Sequence, residues 1–155
     1  MNSSEKWLEN SVKLFRLPSP PGQLTRDPGH CCECQEHEET LKGKCPETIG
    51  LEELGNPGWD PVCFLSPEGV CCFFPAMVRL ALEDKGETAY ISSFLFHLAY
   101  DGPRNERFLY FSPAQRKFVQ DFLLYLIDLY SPLFEEWPTL QGEFDNAIRA
   151  WTDAP

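Results

Sequence analysis

The sequence predicts a mainly α (α+β) fold: a compact helical domain around one central apolar helix, with one short β-hairpin. Three observations carry that expectation. Ser112-Pro113-Ala114-Gln115 combines an N-cap serine, a proline suited to the first helical position and a glutamine that completes a capping box. Behind it Phe118, Val119, Phe122, Leu123, Leu126, Ile127 and Tyr130 recur at helical spacing and form a wide apolar face. Leu124 and Leu129 lie off that face, which predicts packing on more than one side and a central place for residues 113–130. Third, the short runs Pro61–Leu65 and Val70–Phe74 flank Ser66-Pro67-Glu68-Gly69, whose proline and glycine suit a type I turn, so the whole reads as a hairpin.

The other elements follow in chain order. Trp7, Leu8, Ser11, Val12, Leu14 and Phe15 give an imperfect helical stripe over residues 4–15. Leu17-Pro18-Ser19-Pro20-Pro21-Gly22 ends it, because clustered prolines cannot continue a helix. The chain is therefore expected to be a single domain over residues 1–155, with an N-terminal helix to 16, a Pro-rich tether over 17–26 and a main body over 27–155. Asp27-Pro28 has the form of a helix start, and Lys42-Gly43-Lys44 of a helix stop after Leu41. A short helix is expected over 46–54, before the break at Gly55-Asn56-Pro57-Gly58. Pro75 opens a further helix to Glu83. Ile91, Phe94, Leu95 and Leu98 mark another over 88–100, and Phe144, Ile148 and Trp151 mark the last over 143–151.

Composition narrows the function classes. The formal net charge is −11, with 24 acidic and 13 basic residues. A nucleic-acid surface needs clustered lysine and arginine, and so does an anionic membrane surface, so neither is expected as a partner. The longest apolar run, Phe122–Ile127, is far short of the roughly 20 residues a membrane span requires. The first residues lack the basic start and apolar run of a secretory signal, so a soluble, cytoplasmic protein is expected. No nucleophile-elbow, phosphate-loop or dinucleotide-binding glycine pattern occurs, which leans away from an enzyme.

Seven cysteines stand at positions 31, 32, 34, 45, 63, 71 and 72. An odd number without a secretory signal argues against a disulfide framework and for metal ligands, a reactive thiol or small buried side chains. Cys31 and Cys34 form a C-x-x-C pair, with His37 two residues beyond it. Thiolate and imidazole are zinc ligands, so Cys31, Cys34 and His37 are candidate metal ligands. A regular helix through this stretch places His30, Cys34, His37 and Leu41 on one stripe and Cys31 about 100° from His30. That favours a knuckle over a helix, a subset of ligands, or a stripe that simply faces the core. In the expected hairpin Cys63 opposes Cys72, which makes a Cys31, Cys34, Cys63 and Cys72 zinc site conceivable. Thiol redox chemistry is the competing use of C-x-x-C, although no strand precedes the motif and glutamates 33, 36, 38 and 39 surround it. His97 shares a stripe with Tyr90 and Phe94 and reads as a hydrogen-bonded histidine at the core edge. From Gln120 to Pro155, seven acidic residues accompany the single basic Arg149; this acidic C-terminal face suits a solvated surface or a basic protein partner.

The segments His30-Cys31-Cys32-Glu33-Cys34, Gly58-Trp59-Asp60, Leu65-Ser66-Pro67-Glu68-Gly69 and Phe74-Pro75-Ala76 resemble a bacterial protein family, a domain of unknown function with a CxEC-like start and an lsPeG…lPA centre. The resemblance spans roughly residues 27–130 and implies a bacterial cytosolic origin, with no activity or catalytic residues to carry over. The expectation is a non-catalytic binding or accessory module with a structural zinc. Its alternatives are a metal- or thiol-dependent enzyme centred on Cys31, Cys34 and His37, and an acidic inhibitor or immunity-type protein.

Overall fold

The structure, a computed structural model, describes residues 2–152. These residues form eight α-helices: α1 Ser3–Phe15, α2 Cys32–Leu41, α3 Leu51–Leu54, α4 Pro67–Glu83, α5 Tyr90–Ala99, α6 Glu106–Tyr110, α7 Pro113–Tyr130 and α8 Pro138–Thr152. Short 3-10 turns lie at Pro61–Cys63, Gly102–Arg104 and Ser131–Leu133. The mainly helical expectation holds. The β-hairpin does not, since no strand forms among the described residues and only an isolated antiparallel bridge joins Thr25 to Leu65.

The correction at residues 61–74 has a local cause. Ser66 is an N-cap, its hydroxyl accepting from Gly69 N at 3.0 Å, and Pro67 occupies the first helical turn. The supposed turn is thus the start of α4, and Val70–Phe74 continues as helix because its side chains are buried on several sides at once. The same Ser66 hydroxyl donates to Leu24 O at 3.0 Å, and Ser66 N donates there at 2.8 Å. A Cβ on Gly69 would collide with that carbonyl, so the close approach of α4 to residues 24–26 requires glycine. Ser66→Ala is expected to cost about 1–2 kcal/mol, the usual worth of a helix cap, read as a lower urea midpoint. A cost near zero is the outcome for a serine in an exposed turn.

The central helix is α4, not the one at 113–130. Its buried residues run from Gly69 through Leu82 almost without a gap. Helix α7 has the predicted bounds and capping box, but Leu124 is 57 % exposed and Leu129 37 % exposed, so it buries one face rather than several. Around α4 pack α1, α5 and α6; α8 lies against α5 and α7, and α1 bridges α4 to α7. Aromatic rings fill the centre. Phe15 meets Phe74 at 4.4 Å and Phe111 at 5.1 Å, and Trp7 meets Phe118 and Phe122, both at 5.3 Å. Each such ring buries a large area, and the edge-on geometries add to that burial.

Two stretches before the core differ from the reading of the sequence. Asp27-Pro28 opens a turn, with Asp27 Oδ1 accepting from Gly29 N at 3.1 Å, and α2 begins four residues later than expected. The proline-rich segment is fixed rather than loose. The buried Glu38 carboxylate on α2 accepts from Leu24 N, Thr25 N and the Thr25 hydroxyl at 2.6–3.1 Å. No helix among the described residues is long and apolar enough to cross a membrane.

Candidate metal centre

The turn Asp27–His30 delivers the chain to α2 in a way that gathers three ligand groups. His30 N donates to Asp27 O at 3.2 Å, which closes the turn. Cys31 is the N-cap of α2, with φ −159° and ψ 171°, and its sulfur accepts from Cys34 N at 3.5 Å. Cys34 lies one turn into the helix, directly above the cap. The Cys31 and Cys34 sulfurs are 3.3 Å apart, and His30 Nδ1 is 3.8 Å from the Cys34 sulfur. All three ligand atoms lie within 4.8 Å of one another. A tetrahedron built on zinc–sulfur and zinc–nitrogen bonds has edges of about 3.5–3.8 Å, close to these separations. His30, Cys31 and Cys34 are geometrically able to bind a metal ion.

The electrostatics favour a thiolate at the cap. The Cys34 backbone N–H, then the Cys34 thiol, then the His30 ring bring the Cys31 thiol down to about 7. A helix N-terminus adds a positive partial charge at the same place. Cys34 shifts the other way. Its hydrogen bond to Cys31 and its burial, at 7 % exposure, push its thiol up. The His30 imidazole is raised by its hydrogen bond to Cys31, by the charge of Cys31 and by that of Asp27. The three groups therefore behave as one unit, with charge concentrated on the exposed Cys31 sulfur.

The other candidate ligands lie elsewhere. His37 is 1 % exposed and stacked between Phe64, at 4.6 Å, and Trp59, at 4.7 Å. Among the described residues its Nε2 has no hydrogen-bond partner, and it lies 3.7 Å from a Glu33 oxygen. The ring thus faces an aromatic slot rather than the Cys31 and Cys34 sulfurs. Loss of the hairpin removes the opposition of Cys63 and Cys72: Cys63 ends a 3-10 turn, whereas Cys72 is half-buried on α4. His30 takes the position assigned to His37, because α2 starts at Cys32 and leaves His30 in the preceding turn. The legible signal was the run His30-Cys31-x-x-Cys34 itself.

A second cluster forms around Cys63. Asp60, Cys63 and His97 have ligand atoms within 4.8 Å of one another. His97, 2 % exposed, pairs with Asp60 Oδ2 at 2.6 Å, and Asp60 Oδ1 accepts from Val62 N at 3.0 Å. His97 is hydrogen-bonded, as expected, and is buried rather than at the core edge. Arg107 is buried beside them, donating to His97 O at 2.8 Å and Val62 O at 3.2 Å. A permanent guanidinium charge here repels a second cation. Desolvation, then Asp60, pushes the Cys63 thiol up, outweighing Arg107 and Arg26. This cluster therefore fastens residues 60–63 to α5 and α6, and neither a cation nor a thiolate is favoured in it.

No family model matches the chain. No curated protein or solved structure matches it either, which is consistent with a family of unknown function.

Proposed function

We propose that the protein is a soluble, cytoplasmic bacterial accessory module that holds a zinc ion through His30, Cys31 and Cys34. The observation that carries this reading is the set of three ligand atoms within 4.8 Å of one another at the start of α2. Zinc suits the donor set, since it takes thiolates and imidazole without a strict geometric demand. With Cys31 and His30 exposed, a fourth position faces solvent, where water or a partner's side chain would complete the tetrahedron. The test is the metal content of untagged protein purified under reducing conditions, by elemental analysis and native mass spectrometry. About one zinc per chain is expected, falling below about a tenth of that in Cys31→Ser and Cys34→Ser, reduced in His30→Ala and kept in Cys63→Ser. Zinc-free wild-type protein overturns the reading.

A second reading rests on the split between the two thiols. An exposed cap cysteine near 7 and a buried neighbour with a raised value match the attacking and resolving roles in thiol–disulfide exchange. In metal-free protein, alkylation by iodoacetamide is expected to occur first at Cys31, with a pH profile centred near 7. Added zinc is expected to suppress it. Alkylation of Cys31 only above about pH 8.5, the ordinary range of a free thiol, removes this reading.

A further inference from the structure

At the far end of α2 from His30 and Cys34 lies a cleft of about 530 Å³. The two ends of this ten-residue helix are about 15 Å apart. One wall is the segment carrying Pro18, Pro20 and Pro21, whose fixed φ angles and anchorage through Glu38 keep it from folding inward. The floor is apolar, with Val12, Leu17 and Cys72 half-buried at its surface over the fully buried Phe15, Leu41 and Phe73. The volume lies within the roughly 300–1,000 Å³ typical of small-molecule sites.

Charge at the rim selects among ligands. The chain carries a net charge of −11, yet Arg16 and Lys42 both border this cleft and neither has a carboxylate within ion-pair distance among the described residues. Cations at helix C-termini are common because they suit the negative helix end. Here several of the carbonyls they would serve are already occupied: Leu14 O accepts from Gln115 Nε2, Glu38 O from Lys42 N and Leu41 O from Lys44 N. Of the carboxylates on the lining, Glu38 is turned onto Leu24 and Thr25, and Glu47 forms no ion pair with Arg16 or Lys42 among the described residues. Lys44 itself pairs with Glu53 at 3.4 Å. An apolar floor with two cations at its rim that form no ion pair, Lys42 acting on Glu38 only at longer range, is complementary to one kind of molecule.

We propose that this cleft binds a small amphipathic carboxylate, its apolar tail against Val12, Leu17, Pro21 and Cys72 and its carboxylate at Arg16 and Lys42. Neutral amphiphiles would gain the floor but not the rim, and hydrophilic anions the rim but not the floor. The proposal is independent of any metal at His30, Cys31 and Cys34.

The probe is decanoate, titrated into ¹⁵N-labelled full chain and followed by amide shifts. Saturable shifts at Leu17, Lys42 and Cys72 are expected below about 1 mM, and decanol is expected to bind at least about tenfold more weakly. The exposed double variant Arg16→Glu, Lys42→Glu is expected to lose at least about tenfold in affinity. Cys72→Trp, which fills the cleft from α4, is expected to abolish the shifts. Should that variant fail to fold, the two surface substitutions carry the test alone. The proposal is overturned by the absence of saturable shifts, by shifts confined to other parts of the chain, or by an affinity indifferent to both the charge reversal and the neutral analogue.

Discussion

Arg107→Ala is expected to destabilise the protein by about 3–5 kcal/mol, seen as a large fall in the urea midpoint with an unchanged slope. The guanidinium is 2 % exposed and donates to the carbonyls of His97 and Val62. Burial lowers its proton affinity, but a guanidinium stays charged at neutral pH. Truncation strips two buried carbonyls of their donors, leaves a cavity, and removes the cation facing the Asp60 and His97 pair. Arg107→Met separates these effects, because it retains most of the volume and donates nothing. A loss below about 1 kcal/mol for Arg107→Ala would show that the fastening of residues 60–63 lies elsewhere.

Glu38→Gln is expected to cost about 2–3 kcal/mol at neutral pH, and less in acid. Burial alone would raise the Glu38 carboxyl, but the donors Leu24 N, Thr25 N and the Thr25 hydroxyl, with Lys42 nearby, outweigh it and hold the group below its ordinary value. A carboxyl lowered on folding contributes stability that is fully present above its unfolded value of about 4.3 and is lost as pH falls through the folded one. The stability curves of the wild type and of Glu38→Gln are therefore expected to converge as pH drops below about 4, with a constant gap above about 5. Parallel curves across that range would mean that the carboxylate charge contributes nothing to holding residues 24–25.

Two helix caps show where the sequence was readable. The capping signal at Ser112 gave α7 its correct bounds, since local chemistry alone decides a cap. The Ser66-Pro67 pair carries the same signal, but Gly69 and the run Val70-Cys71-Cys72-Phe73-Phe74 make it look like a turn followed by a strand. A short apolar run buried all round has no period to read. What decides its structure is the closeness of Leu24 O to Gly69, a contact between segments more than 40 residues apart. Pro75 misled in the same way: it reads as a helix start yet lies in the middle of α4, where it costs one backbone hydrogen bond. At the candidate metal centre the C-x-x-C pair was legible as chemistry, and the choice of its third member was not. Choosing between His30 and His37 depends on where α2 begins, and Asp27-Pro28 signals a start four residues early. The slot between Trp59 and Phe64 that holds His37 leaves no local trace in the sequence. The cluster of Asp60, His97 and Arg107 unites three distant segments, so no spacing rule could assemble it.

The position of α1 sets an order of events during synthesis. Ser4 bonds the Tyr125 hydroxyl across a separation of 121 residues, and Trp7 rests on Phe118 and Phe122. At about 5–20 residues per second, α1 waits about 5–25 s after its own translation before those partners are made. Until then the ring of Trp7 has no partners, although Phe15 can already meet Phe74 of α4. The C-terminal half of α1 can thus dock on α4 early, whereas its N-terminal half must wait for α7.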